Sequence, residues 1–146
     1  METHLAWLAG IIDGEGCLTI FRKTWKSPEG LKCVSAAADI TITNSSAAML
    51  TECRRLLDEL EVKYRYILPR NSTTRPLRRI TVRNYVSMLR LLDAVEPHVI
   101  AKREQVALMR EFATRAAARK GFRATDERMS FTTRMSALNR TGQLIP

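Results

Sequence analysis

The sequence predicts an α+β domain, an antiparallel sheet with helices on one face and a polar, basic surface on the other. Three observations carry that expectation. Residues 17–25 and 33–43 alternate side-chain character on either side of Ser27-Pro28-Glu29-Gly30, the pattern of two strands joined by a turn. Met49, Leu50, Cys53, Leu56, Leu57 and Leu60 then fall on one helical stripe. A second strand pair and a further helix come next, so a strand-strand-helix unit occurs twice.

Each element has its own signal. Thr3 is placed as the N-cap of a first helix over Leu5–Asp13, with Gly14 and Gly16 at its end. In the first strand Leu18, Ile20 and Arg22 point one way, and Thr19, Phe21, Lys23 and Trp25 the other. In the second, Val34, Ala36, Ala38, Ile40 and Ile42 make the apolar face; Ser35, Ala37, Asp39, Thr41 and Thr43 oppose it. Asn44-Ser45-Ser46 caps the next helix. Val62–Leu68 and Leu77–Arg83 form the second strand pair, joined by a polar turn through Asn71-Ser72-Thr73-Thr74. Ile80 and Val82 belong to the core, while Arg79, Thr81 and Arg83 face out. Residues 62–68 leave two settings open: either Tyr64, Tyr66 and Leu68, or Lys63, Arg65 and Ile67, join the polar face.

Asn84 caps a third helix with Tyr85, Met88, Leu89, Leu92 and Val95 on one side. Pro97 suits the first turn of a long fourth helix ending near Gly121. A last helix spans about Thr125 to Leu138, and Thr141–Pro146 is expected to fray. The organisation is a core of residues 1–121 followed by a C-terminal helix and tail, 122–146.

Composition narrows the function classes. The 146 residues carry 24 Lys+Arg against 15 Asp+Glu, a net charge of +9. The charge is uneven: residues 1–60 hold 6 basic and 8 acidic side chains, whereas residues 61–90 hold 8 basic and only Glu61 as acid. An acidic N-terminal site inside a basic protein makes nucleic acid the first partner to consider. Cys17, Cys33 and Cys53 are odd in number and form no C-x-x-C, so they read as reduced and mostly buried. With His4 and His98 as the only histidines, a His/Cys zinc site is excluded. The apolar run Leu5–Ile12 is too short to span a bilayer and follows no basic segment. An intracellular setting is expected, bacterial cytoplasm or organelle matrix, with no membrane partner.

The first helix carries the most specific signal. Ala6, Gly10 and Gly14 recur every four residues on one face. Small residues so spaced let another backbone approach closely, which points to a subunit interface or, failing that, to core packing inside one chain. Asp13 and Glu15 follow at the helix C-terminus, where the macrodipole disfavours negative charge. They call for a compensating cation, either a metal ion or a Lys or Arg. A two-fold axis through the small-residue face would pair two Glu15 carboxylates.

Leu8-Ala9-Gly10-Ile11-Ile12-Asp13-Gly14-Glu15-Gly16 resembles the LAGLIDADG motif of homing endonucleases, with six of nine positions identical. The element order over about residues 3–120 is similar to that family's αββαββα core, whose sheet forms a DNA-binding saddle, here with C-terminal helices added. A single motif resembles the homodimeric branch. The resemblance implies a site-specific double-strand DNA endonuclease that cleaves a long pseudo-palindromic target, using Mg²⁺ or another divalent cation such as Mn²⁺. Glu15 would bind the metal, helped by the Gly14 carbonyl, with Asp13 mainly structural.

Asn44 matches the family's amide after the second strand, positioning water or metal; it equally suits a helix cap, and the two roles are compatible. Lys102 matches the lysine after the proline. It also interrupts the apolar stripe of Val99, Val106, Met109 and Ala113, so it is either snorkelling or aimed at something anionic. Ala47, Ala48 and Met49 stand where homodimers of the family often have a basic residue.

Catalytic candidates are therefore Glu15, Asn44 and Lys102. DNA-reading candidates are Thr19, Phe21, Lys23, Trp25, Ser35, Asp39, Thr41, Tyr66, Arg70, Arg79, Thr81 and Arg83, and Arg119, Lys120 and Arg123 are expected at the backbone. The dimer interface would use Ala6, Gly10 and Gly14. Two rivals share the fold: a DNA-binding regulator that does not cleave, and a maturase that binds intron RNA.

Overall fold

The structure is a computed structural model that describes residues 1–68, 76–118, 122 and 125–141. Its elements are α1 (Glu2–Glu15), β1 (Gly16–Lys26), β2 (Lys32–Asn44), α2 (Ala47–Glu59), β3 (Arg65–Ile67), β4 (Arg78–Val82), α3 (Tyr85–Val95), a 3₁₀ turn (Glu96–His98), α4 (Arg103–Ala118) and α5 (Asp126–Thr141). The four strands form one antiparallel sheet in the order β1-β2-β4-β3. The α+β architecture expected from the sequence is the one observed.

The hairpin register follows from the alternation. Leu18 pairs with Ile40 and Ile20 with Ala38, so the apolar side chains of both strands lie on one face. They are buried there with Ile42, Ile80 and Val82 beneath Leu8, Leu50, Leu57, Leu92 and Met109 of the helices. Removing that many aliphatic side chains from water is the main term holding helices to sheet. Among the described residues no helix covers the opposite face. The turn needs Gly30, whose φ of +82° disfavours any side chain.

The helix–strand junction needs glycine for another reason. A Cβ at Gly16 would sit 2.6 Å from the Ile12 carbonyl oxygen. Only glycine lets β1 leave directly from the last turn of α1, and Glu15 is thereby fixed at the corner between them.

Several boundaries differ from the sequence expectation. The N-cap of α1 is Met1, not Thr3, because the Leu5 N–H already bonds the Met1 carbonyl at 3.0 Å. Gly14 does not stop the helix, which runs to Glu15. The cap of α2 falls within Asn44-Ser45-Ser46 as expected: Ser46 is the N-cap, its hydroxyl accepting from the Met49 N–H, while Asn44 accepts from the Ser46 N–H at 2.8 Å. β3 is three residues long instead of Val62–Leu68. Val62 N–H donates to the Leu57 carbonyl and Lys63 N–H to the Ser87 hydroxyl, both at 2.9 Å, so these residues finish α2 and brace α3. Asn84 caps α3 as expected, accepting from the Ser87 N–H at 2.9 Å.

Pro97 lies in the short 3₁₀ turn, and α4 begins only at Arg103. The cysteines differ too: Cys53 is buried, Cys33 half-buried and Cys17 exposed. Burial pushes the Cys53 thiol up to about 11, keeping it neutral. The turn at Asn71–Thr74 and the end near Gly121 fall outside the described residues.

α5 packs across β1, β2 and α4. Phe112, Phe122 and Phe131 meet edge to face, with ring centroids 5.4 to 5.8 Å apart. Above them Arg128 donates from Nε and Nη2 to the Ala36 carbonyl and from Nη1 to the Phe122 carbonyl. Asn139 donates to the Leu18 carbonyl at 3.0 Å, on the outer edge of β1. No helix among the described residues is long and apolar enough to cross a membrane.

Candidate functional site

The C-terminus of α1 is organised by a reciprocal pair. The Asp13 carboxylate accepts the backbone N–H groups of Ile100 at 2.8 Å and Lys102 at 3.1 Å. Lys102 Nζ donates to the carbonyl of Ile12 at 3.1 Å and to that of Asp13. The cation that the helix end calls for is thus an ammonium, and the lysine that breaks the α4 stripe is aimed at backbone oxygens. Asp13 is accordingly structural. It also explains the late start of α4: its carboxylate holds the chain in a turn at residues 100–102.

Glu15 stands differently. It is exposed, and among the described residues it has no ion pair or hydrogen-bond partner. Lys102 takes the carbonyls of Ile12 and Asp13; that of Gly14 is next in line. A free carboxylate and an adjacent carbonyl are hard oxygen donors of the kind that suit Mg²⁺ with retained waters. The donors present fit a divalent cation but do not complete a cage: the described residues contain no group of three or more His, Cys, Asp or Glu that could hold one. Asn44 ends β2 two residues beyond Ile42, the partner of Gly16, so it shares this corner of the sheet. Its carboxamide oxygen accepts the Ser46 N–H, a turn that sets up the Ser46 cap.

On the outer side of α1, Ala6, Trp7, Gly10 and Gly14 are exposed. A Cβ at Gly10 or Gly14 would meet nothing within 4 Å. The small-residue stripe therefore faces away from the chain's own core, which takes Leu8, Ala9 and Ile12 instead. Trp7 is a surface aromatic that the sequence reading passed over. Its spacing of three from Gly10 was the available signal.

The helix-free face of the sheet is a lattice of cross-strand rows. Trp25 lies opposite Cys33, Lys23 opposite Ser35, Phe21 opposite Ala37 and Thr19 opposite Asp39. Thr41 is flanked by Cys17 and Thr81, and Thr81 by Arg65. Arg79 lies between Thr43 and Ile67. The structure thus brings Thr19, Phe21, Lys23, Trp25, Ser35, Asp39, Thr41, Arg79, Thr81 and Arg83 to one face. Phe21, Lys23, Trp25, Arg79 and Arg83 are exposed on it, whereas Ser35, Asp39 and Thr81 are buried among their neighbours. Thr81, 2% exposed, is floor and offers no surface of its own.

Tyr66 is not on this face. It pairs with buried Ile80 and lies under Arg54, whose guanidinium carbon is 4.2 Å from the ring centroid. The register selects the other setting of β3, so Arg65 and Ile67 join the helix-free face. Arg70, Arg119, Lys120 and Arg123 lie outside the described residues.

The chain thus carries a helix-tipped carboxylate and a basic face on an antiparallel sheet, and sequence comparison gives its family. The family model described as LAGLIDADG-like domain matches residues 2–95, and the chain belongs to that family. Among solved structures it is similar to the homing endonuclease I-CvuI in complex with its target in the presence of 2 mM Ca, with a TM-score of 0.67 at 16% identity over 94% of this chain and 82% of that one. The archaeal intron-encoded homing endonuclease I-Vdi141I complexed with DNA gives a TM-score of 0.63 at 15% identity, covering 95% and 98% of the two chains. The homing endonuclease I-TnaI gives 0.64 at 14% identity, covering 95% of each. Likeness at such identities is one of fold. No curated protein matches the chain.

Proposed function

We infer that the protein is a site-specific double-strand DNA endonuclease that works as a homodimer on a long pseudo-palindromic site. The observation that carries this reading is the build of α1. One helix turns its small residues outward and ends in an unpartnered Glu15 beside a basic sheet face. Two copies joined through Ala6, Gly10 and Gly14 would set two carboxylates side by side, one for each strand, and each sheet would read a half-site.

Glu15 and the Gly14 carbonyl would hold Mg²⁺ or another divalent cation, such as Mn²⁺. When bound, that ion supplies an activated water and charge stabilisation for phosphodiester hydrolysis. The chain's own part is placement. Gly16 and the Asp13–Lys102 pair fix the helix end, and the Lys102 ammonium adds positive potential beside it. Asn44 would orient a water or the cation from the end of β2. Exposed Lys23, Arg65, Arg79 and Arg83 would meet phosphates or guanines, and Phe21 and Trp25 thymine methyl groups. No protein nucleophile is needed.

The test is direct. Duplexes enriched from a random pool by the protein are cloned into a plasmid and incubated with Mg²⁺. Linearisation at the enriched site is expected. Binding without cutting would favour a DNA-binding regulator. Tight binding of intron RNA with no DNA cleavage would favour a maturase.

A further inference from the structure

Asp39 is the only acidic residue in the four strands, set among Lys23, Arg65, Arg79 and Arg83 on the helix-free face. A lone carboxylate on a surface meant for a polyanion costs affinity, so its partners matter. Both of its oxygens are engaged. Oδ1 accepts the Thr19 hydroxyl at 2.6 Å, and Oδ2 lies 3.6 Å from Arg83 Nε, an ion pair without a hydrogen bond. The side chain of Asp39 is 12% exposed and that of Arg83 57%. The three residues form one row across β1, β2 and the end of β4. Thr19 and Asp39 are register partners, and Ile40 and Val82, next to Asp39 and Arg83, are partners as well.

The division of labour follows from the geometry. Asp39 is too enclosed to reach a base edge while Thr19 and Arg83 hold it. Arg83 approaches Asp39 through Nε, and its side chain is 57% exposed, so the guanidinium stays open to a ligand on the sheet surface. Two parallel N–H donors match O6 and N7 of guanine in the major groove, the commonest specific contact of arginine. A free arginine with several rotatable bonds would spread over many poses. An ion pair to a clamped carboxylate biases it toward fewer poses, so it loses less freedom on binding.

We propose that Asp39 is a specificity-determining positioning residue: clamped by Thr19, it aims the Arg83 fork at one guanine in each half-site. This rests on the DNA-binding role given above. The carboxylate itself contacts no base. Its charge lowers non-specific attraction while fixing the one arginine that discriminates.

The experiment is selection of sites from a random duplex pool by the wild-type protein and by Arg83→Ala, Asp39→Asn, Thr19→Val and the Asp39→Asn/Arg83→Ala double variant, with circular dichroism confirming the fold. Asn keeps an oxygen for Thr19 and removes the charge. Wild type is expected to prefer guanine at one position per half-site. Arg83→Ala and Asp39→Asn are expected to relax that same position about tenfold or more, Thr19→Val less, and the double variant no more than Arg83→Ala alone. Relaxation at a different position by Asp39→Asn would make Asp39 a direct reader and overturn the proposal. A uniform gain of affinity with unchanged preference would make it a mere repulsive charge, with the same result. If wild type enriches no sequence, the DNA-binding reading fails as well. If it enriches one and only the Asp39 arm fails, the positioning role alone is lost.

Discussion

Asp13 and Lys102 each cap the helix that the other belongs to or leads into: the carboxylate accepts the N–H groups of Ile100 and Lys102, and the ammonium donates to the carbonyls of Ile12 and Asp13. Two polar groups thereby engage four backbone groups, at the end of α1 and in the turn that leads into α4. Asp13→Ala is expected to destabilise the protein by about 1 kcal/mol, through two lost hydrogen bonds at a partly exposed turn. Lys102→Met should cost about 1 kcal/mol at the helix terminus. Urea unfolding without DNA or metal measures both; an unchanged midpoint would show that the pair does not hold the corner.

Glu15 contributes to no packing, so Glu15→Gln should leave the fold intact. It is expected to abolish cleavage while DNA affinity stays within about tenfold of wild type. Plasmid linearisation and gel-shift titration separate the two. Lost folding or lost binding would argue against a role at the metal.

Gly10 has no neighbour within 4 Å of a Cβ position, so a larger residue there finds room in the single chain. Gly10→Leu is expected to retain the thermal unfolding behaviour of a folded protomer and to block pairing of two copies. Sedimentation equilibrium checks it. A Gly10→Leu variant that remains dimeric would place the interface elsewhere.

Glu61 carries φ 56°, in the left-handed region. It closes α2 in a double hydrogen bond, with Glu61 N–H on the Asp58 carbonyl at 3.0 Å and Val62 N–H on that of Leu57 at 2.9 Å. Glu61→Gly is expected to stabilise the protein by about 1 kcal/mol by relieving that conformation. A rise in the urea midpoint at constant slope is the readout.

The same turn shows where sequence reading loses its grip. A helix stop written with Gly would have been legible; one written with Glu61 is not. Val62 and Lys63 continue the alternation of residues 64–68, and therefore read as the start of a strand. The hairpin β1–β2 was readable because each residue type follows the pleat. The C-terminal corner of α1 was readable in kind, an acid needing a cation, but not in partner. Lys102 lies 89 residues from Asp13 along the chain, and spacing carries no signal over that distance. For the helix-free face, alternation identified the right set in three strands. In β3, three residues long, it could not choose, and the choice came from Tyr66 pairing with Ile80. Burial of Ser35, Asp39 and Thr81 on that face was equally hidden, since it comes from the neighbouring strands.

Arg128 satisfies the outward carbonyl of Ala36 while its guanidinium carbon lies 5.3 and 5.0 Å from the ring centroids of Phe112 and Phe122. The last helix is thereby a latch and not an appendage. A chain cut short before it would bare greasy rings and an unquenched strand oxygen at one stroke, and would clump sooner than it would simply lose its end.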